Sequence, residues 1–265
     1  ALIIAVVFVI SELVCVACVP ERPVACDEKP GKISDMFKAL FKNDQAMTVV
    51  VSIILVYTSL NICGNLVLYF FRFDVGNEGA YSIFAAVAFA AQVLVMMVIP
   101  LLRKRFSKSQ LFISGFIIQI AGFAVILIMA FAKLYTPQSW YILCLPGILI
   151  YLGYGMLNVI MTIFLSDSVD YGEVINGTRE ESVIFSMQTF TVKLASGVAV
   201  FLAGLVVDWI HLDTAAAVQT QDTLDALRMW MTIPSVILLI VGIFVFKRFY
   251  KLDDTRMEEI KSKLN

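Results

Sequence analysis

Long apolar stretches dominate the chain, and each is about as long as a helix must be to cross a lipid bilayer. About 20 helical residues span a hydrocarbon core about 30 Å thick. Seven stretches come close to that length or exceed it, at residues 1–19, 47–71, 81–102, 111–132, 140–166, 182–207 and 229–246. Only helices and closed barrels satisfy backbone hydrogen bonds inside lipid. The pattern therefore predicts an all-α transmembrane protein.

The composition agrees with this interpretation. Hydrophobic residues make up 60% of the chain and charged residues 15%, and the mean hydropathy is +0.88. These values are far from those of a soluble domain of this length. The first apolar stretch begins without a methionine or a flanking charge, so we expect residues 1–20 to be the end of a span that begins outside this sequence.

Lysine and arginine residues crowd into alternate loops, which is the asymmetry that orients membrane proteins. One set of loops contains most of them: Arg22, Lys29, Lys32, Lys38, Lys42, Arg103, Lys104, Arg105, Lys108, Arg179 and the basic residues of the tail from Lys247 to Lys263. The other set has only Arg72, Lys133 and Arg228 near membrane ends. We therefore expect a multi-pass membrane protein with its C-terminus in the cytoplasm. The net charge of -1 gives no reason to expect a nucleic-acid partner.

Cysteine and histidine residues do not form a metal-binding pattern. Cys15 and Cys18 have C-x-x-C spacing, but no second pair follows, and His211 is the single histidine. Four of the five cysteines lie in apolar stretches, which argues against a disulfide framework. We therefore predict no metal site and no cofactor apart from a transported ion.

Two amphipathic segments flank the main apolar region. In the predicted central cytoplasmic loop, residues 21–45, apolar residues recur at helical spacing from Ile33 to Phe41. In the predicted cytoplasmic tail, residues 253–265, Met257, Ile260 and Leu264 share one face after a capping aspartate. The region between them, residues 46–252, is predicted to form a transmembrane bundle.

Lys193 is the most informative residue, because it lies inside an otherwise uncharged stretch of more than twenty residues. A charge at the centre of a membrane helix costs roughly 2.5–3.5 kcal/mol on the insertion scale, so it normally faces protein or a wet cavity. Ser182, Ser186, Thr189, Lys193 and Ser196 recur at steps of three and four, which places them on one helix face, with Gln188 beside them.

Two further apolar stretches have polar stripes of the same kind. One contains Tyr151, Tyr154, Asn158, Thr162 and Ser166, and the other contains Tyr57, Asn61, Asn65 and Tyr69. Such residues also join membrane helices to one another by hydrogen bonds. Three stripes and a buried lysine together favour a polar cavity near the middle of the membrane, where hydroxyl and amide groups would bind a sugar.

The residues from Ser166 to Lys193, SDSVDYGEVINGTREESVIFSMQTFTVK, resemble the signature region of the glycoside-pentoside-hexuronide:cation symporters. This is the melibiose permease-like family of the major facilitator superfamily. Weaker similarity covers nearly the whole chain, including Asn65 before Leu68-Tyr69-Phe70-Phe71 and the tail Phe249-Tyr250-Lys251-Leu252. The resemblance implies a C-terminal six-helix bundle of a major facilitator fold, preceded by the end of span six, with an N-terminal bundle outside this chain as its partner.

The resemblance also implies roles for individual residues. Lys193 would lie between the cation and sugar sites, with Gln188 and Thr189 on the sugar-facing side of its helix. Asn158 stands where melibiose carriers have tryptophan, which argues against melibiose as the substrate. With these, the predicted substrate and cation cavity comprises Lys193, Thr189, Gln188, Asn158, Asn61, Asn65, Tyr57 and Tyr154. The predicted cytoplasmic gate comprises Asp167, Asp170, Tyr171, Glu173 and Arg179.

The implied function is secondary active transport of a glycoside, pentoside or hexuronide, coupled to Na⁺ or H⁺ by alternating access. A membrane enzyme is disfavoured, because no nucleophile–base pair or ligand set accompanies His211. A lone basic residue argues against a cation channel, which would use rings of acidic residues. A membrane interaction or receptor-like bundle without transport activity is the alternative that the sequence leaves open.

Overall fold

The computed structural model describes residues 2–18, 41–177, 179, 181–216 and 218–264, in two compact units, residues 1–35 and 36–265. The predicted amphipathic helix of the central loop lies outside the described residues, except for Phe41. In the first unit, α1 (Leu2–Cys18) is a 17-residue apolar helix whose described apolar side chains are exposed.

The described part of the second unit contains six helices long and apolar enough to cross a membrane. They are α2 (Asp44–Tyr69, extended by a π-helical turn Phe70–Asp74), α3 (Ala80–Leu102), α4 (Lys108–Phe131), α5 (Cys144–Asn176, preceded by a 3₁₀ turn Trp140–Leu143), α6 (Glu181–Trp209) and α7 (Gln221–Phe249). A short helix, α8 (Asp254–Leu264), follows them. The predicted all-α class and six-helix bundle are confirmed.

The helices run further than the apolar stretches that predicted them, because polar residues continue and cap them. Asn43, Ser107 and Thr220 accept hydrogen bonds from the first turns of α2, α4 and α7. Helix α5 ends at Asn176, ten residues past the predicted limit of 166. The next residue, Gly177, has a left-handed φ of 72° and terminates the helix. Helix α2 begins at Asp44, within the segment 21–45 that was predicted as the central loop.

The helices pack around α2 and α5. Helix α2 contacts α5, α6 and α7, whereas α5 lies against α3 and α4. Backbones approach closely where α5 carries glycine. A Cβ atom at Gly153 would lie 2.6 Å from the backbone nitrogen of Gln119 on α4, and one at Gly155 would lie 2.6 Å from Val95 on α3. Small residues at such crossings let membrane helices gain dispersion contacts.

Alternate helices start at opposite ends of the bundle. The end that holds the starts of α2, α4 and α6 also holds α8, and we call it the tail end; the opposite end is the far end. At the tail end Asp253 caps α8 by accepting a hydrogen bond from the Arg256 backbone. Leu252, Met257 and Ile260 are buried together, as the pattern of the tail predicted for the last two.

Candidate functional site

The predicted cavity residues of α2 and α5 meet at one place. The Asn158 amide donates a hydrogen bond to the Tyr57 hydroxyl over 2.5 Å. The Tyr57 and Tyr154 rings pack edge to face with centroids 5.5 Å apart. Two helices that are separated by about a hundred residues in sequence are thus joined by a polar and aromatic contact in the middle of the bundle.

Farther along α2, Asn61 and Asn65 turn their amide groups back onto their own helix. The Nδ2 atoms donate to the carbonyl oxygens of Tyr57 and Asn61, each over 2.7 Å. Each bond uses one of the two N–H donors of its amide group, and the side-chain Oδ1 atoms remain as acceptors. Both residues are half-buried, so this face of α2 presents hydrogen-bond acceptors beside the aromatic pair.

Helix α6 presents its polar stripe on an exposed face. Ser182, Ser186, Thr189 and Lys193 are exposed, and Ser196 is half-buried. Gln188 lies 3.5 Å from the Thr162 hydroxyl of α5, which joins the polar faces of α5 and α6. Thr189 donates to the Phe185 carbonyl of its own helix. The three predicted stripes therefore lie on neighbouring helices.

Lys193 has no ion-pair or hydrogen-bond partner among the described residues. It is the thirteenth residue of the 29-residue α6, about 18 Å from the helix start at 1.5 Å per residue. An ammonium group at this depth is too costly to leave in hydrocarbon. The exposed face of α6 therefore needs water, an opposite charge or both next to it.

Part of the predicted gate forms a cluster at the tail end. Arg179, just after α5, donates to Asp170 over 3.0 Å, to Glu173 over 2.8 Å and to Glu181 over 3.2 Å. The hydrogen bond that Glu173 accepts, with those that Asp170 and Glu181 accept, holds the pKa of the Arg179 guanidinium above its usual value. The cluster links the end of α5 to the start of α6.

Asp167 does not join that cluster. It is buried, and it pairs with Lys108, a buried lysine in the first turn of α4. Lys108 also lies 3.5 Å from Asp254 of α8, which is 3.3 Å from Arg103. Sequence reasoning counted Lys108 only as a topogenic charge. Its position at a helix N-terminus, where the helix dipole disfavours a cation, was a signal that it needed an acidic partner.

The four consecutive residues from Asp170 to Glu173 make three different kinds of contact. Asp170 and Glu173 hold Arg179, whereas Tyr171 packs on the buried cluster of α8. A Cβ atom at Gly172 would lie 2.8 Å from the amide nitrogen of Asn43. That amide donates to the Ser168 carbonyl over 2.7 Å, so glycine allows α2 to be anchored on α5.

The far end has a buried charged group that sequence reasoning missed. Arg228 of α7 donates two hydrogen bonds to Asp74, over 2.8 and 2.5 Å, and one to Asp225 over 2.6 Å. Tyr135 donates to Asp74 over 2.6 Å. Burial has the largest effect on the pKa of Tyr135 and raises it, and the nearby Asp74 carboxylate raises it further, so the phenol stays protonated. This group fastens α2, α7 and the loop after α4.

Comparison with known proteins adds to this geometry. Residues 1–254 match the family described as MFS/sugar transport protein. An uncharacterized symporter of Bacillus subtilis is 25% identical over 88% of the chain, the raffinose carrier protein of Pediococcus pentosaceus 23% over 88%, and the isoprimeverose transporter of Lactiplantibacillus pentosus 25% over 96%. The chain spans 49%, 35% and 51% of the lengths of these relatives.

Proposed function

Because the chain belongs to the sugar-transport family of the major facilitator superfamily, we propose that the whole protein is a cation-coupled sugar symporter that works by alternating access. The six-helix bundle of this multi-pass membrane protein forms one wall of the substrate pathway, and a second bundle outside this chain forms the other. The sugar and the coupling ion, Na⁺ or H⁺, bind between the bundles, which rock to open the site to one side at a time.

Lys193 is the observation that carries the proposal. It is exposed and unpaired within the described part of the chain, at the middle of a membrane-crossing helix. In the complete protein its counter-charge is a carboxylate of the second bundle. A cation that neutralises that carboxylate changes how strongly the two bundles attract each other. Linkage then requires sugar and cation to alter each other's affinity by the same factor, typically worth about 1–3 kcal/mol.

The faces around Lys193 have the chemistry that a sugar needs. Gln188, Thr189 and Asn158 offer amide and hydroxyl groups, and Asn61 and Asn65 offer carbonyl oxygens. The Tyr57 and Tyr154 rings supply apolar surface for the CH groups of a pyranose. A site of convergent polar groups with aromatic walls is typical of small-molecule binding.

The tail end acts as the cytoplasmic gate in this proposal. Arg179 with Asp170 and Glu173 is half-exposed and can exchange partners when the bundles rock. The pair of Asp167 and Lys108 is buried, and the half-buried Tyr171 packs on the buried cluster of α8, so these contacts keep the gate helices in position. The excess of basic residues at this end supports its assignment to the cytoplasm of a bacterial inner membrane.

Uptake of radiolabelled sugars by the full-length parent in energised vesicles tests the proposal, with Na⁺ and H⁺ gradients imposed separately. We expect one gradient to drive accumulation of a sugar. Lys193→Ala is expected to abolish accumulation against a gradient while the protein remains inserted, because the coupling charge is lost. Lys104→Ala, in the exposed loop before α4, is the matched control and should transport normally.

Accumulation that is unchanged in Lys193→Ala would exclude a coupling role for this lysine. If the inserted and folded parent takes up no sugar under either gradient, transport itself is excluded. A membrane interaction or receptor-like role would then be the better interpretation.

A further inference from the structure

A groove between α2 and α6 lies near the far end of the bundle, away from Lys193. Its volume is about 340 Å³, which is within the roughly 300–1,000 Å³ typical of small-molecule sites. Asn65 and Tyr69 line it from α2, and Ala203, Gly204 and Asp208 line it from α6, with two valines between them. In the orientation proposed above, it opens at the outer half of the membrane.

The groove exists because α6 has small side chains there. A Cβ atom at Gly204 would meet no other atom within 4 Å, so this position is open space. Gly204 also follows Lys193, Ser196 and Val200 at steps of three and four residues. The groove therefore continues the polar face of α6 toward the far end.

The polar groups in the groove suit the hydroxyl groups of a sugar. The Asn65 amide nitrogen is bonded to its own helix, which leaves the Oδ1 atom as an acceptor. The Asp208 carboxylate has no side-chain partner among the described residues, so its oxygens are free to accept hydrogen bonds from hydroxyl groups. The Tyr69 phenol adds a hydroxyl that can donate or accept, and its ring adds apolar surface.

The charge of this end of the bundle is negative. Three basic residues, Arg72, Lys133 and Arg228, face six acidic ones, Asp74, Glu78, Asp208, Asp213, Asp222 and Asp225. Asp74 and Arg228 neutralise each other in their buried pair. Among the described residues, Asp208 is the acidic one that lines the groove. An anionic ligand would therefore be repelled there, whereas a neutral sugar would not.

We propose that this groove is an outer binding subsite for neutral sugars, and that Asp208 discriminates there against anionic sugars such as hexuronides. The inference rests on the proposed transport function and narrows it, because it names the substrate class. A sugar occupies the groove before it reaches the region around Lys193. Asp208 accepts hydrogen bonds from its hydroxyl groups and repels a sugar carboxylate.

The test compares two sugars that differ in a single carboxylate, 4-nitrophenyl β-glucoside and 4-nitrophenyl β-glucuronide, in uptake by the full-length parent in vesicles. The parent is expected to prefer the glucoside. Asp208→Asn should reduce this preference by about threefold to tenfold, the effect of one unit charge a few ångströms from another in a wet site. Asp213→Asn removes an exposed charge of the same end from outside the groove, and should leave the preference unchanged.

A second variant tests whether a sugar needs the open space of the groove, whereas the first tests the charge of Asp208. The Cβ atom of Gly204→Leu meets no other atom within 4 Å, and the rest of the leucine side chain occupies the groove, so this variant should raise the KM for external glucoside several-fold. Leu205→Phe adds bulk to the adjacent exposed position and should leave the KM as it is. Size-exclusion profiles check that each variant is folded.

Transport with equal preference for the two sugars, or with preference for the glucuronide, overturns the subsite but leaves the transport function in place. The same holds if Asp208→Asn behaves as Asp213→Asn does, or Gly204→Leu as Leu205→Phe does. If the parent takes up no sugar of any kind, the proposed function fails, and the subsite fails with it.

Discussion

At the scale of single residues, the partners of the buried charges are far away in sequence. Lys108 pairs with Asp167, 59 residues later, and Arg228 pairs with Asp74, 154 residues earlier. Both pairs are buried, and removal of Lys108 or Arg228 would leave a buried carboxylate without its cation. These pairs therefore join helices of the bundle, in addition to its apolar core.

The pair of Lys108 and Asp167 yields an asymmetric prediction. Lys108→Met is expected to destabilise the protein by about 3–5 kcal/mol, because it leaves Asp167 buried with no other ion-pair partner among the described residues. Asp167→Asn should cost less, because Lys108 keeps Asp254 nearby. The double variant Lys108→Met/Asp167→Leu should cost less than the sum of the two single changes. Thermal unfolding of the purified protein in detergent measures all three.

Additive losses in the double variant would show that the two side chains do not interact. Lys104→Met, which changes an exposed lysine in the preceding loop, is the control and should unfold at the parent temperature.

The candidate site was partly predictable at this scale. The polar stripes predicted Tyr57, Tyr154 and Asn158, and the structure brings these three together, because period 3.6 fixes which residues share a helix face. The separation of Asp167 from Arg179 was not predictable. Asp167 and Asp170 lie almost one helical turn apart, but Lys108 is on α4 and Arg179 is in the loop after α5. The spacing of the two aspartates in the sequence does not indicate which of these neighbours each one faces.

At the scale of helices, the packing of α5 depends on close contacts between backbones as well as on apolar side chains. Gly153 contacts α4 through backbone atoms, and backbone cannot move aside as a long side chain can. The apolar stretches predicted that α5 exists, but not that it extends to Asn176, because its last turns are polar and are held by Arg179 and Asn43. Hydropathy detects the part of a helix that lies in lipid, whereas tertiary partners determine its end.

Gly153→Ala is therefore expected to lower stability by about 1–3 kcal/mol, the usual cost of overpacking. The added Cβ atom would lie 2.6 Å from both the Gln119 nitrogen and the Gly115 oxygen. Gly64→Ala on α2 is the matched control. Its Cβ atom meets nothing within 4 Å, so the exchange should be neutral or stabilising. Equal unfolding temperatures for the two variants would contradict this account of the α4 and α5 contact.

At the scale of the whole bundle, α8 is held by charge as well as by its buried apolar cluster. Partial burial tends to raise the pKa of Asp254, but hydrogen bonds and charge from Arg103 and Lys108 outweigh it and hold the pKa below its usual value. A carboxyl whose pKa is depressed by folding stabilises the folded state above its unfolded pKa. That contribution is lost as the pH falls through the folded pKa.

Docking of α8 should therefore be constant from neutral pH down to about pH 4, the usual range of aspartate, and should weaken below it. Hydrogen exchange of the α8 backbone amides, corrected for the intrinsic effect of pH, measures this. Asp254→Asn should loosen α8 already at neutral pH and remove the acid transition, whereas Glu258→Gln, at an exposed position on the same helix, should keep it. An acid transition that persists in Asp254→Asn would exclude Asp254 as its cause.

The docking of α8 has a consequence for biosynthesis. Its contacts come from the ends of α3 and α5 and the start of α4, all of which precede it in the chain. When a ribosome makes α8, the surface to which α8 binds exists only if α3, α4 and α5 have already been inserted and packed together. Docking of α8 therefore requires a correctly assembled bundle. A misassembled bundle would leave α8, with its charged and apolar side chains, accessible to proteases.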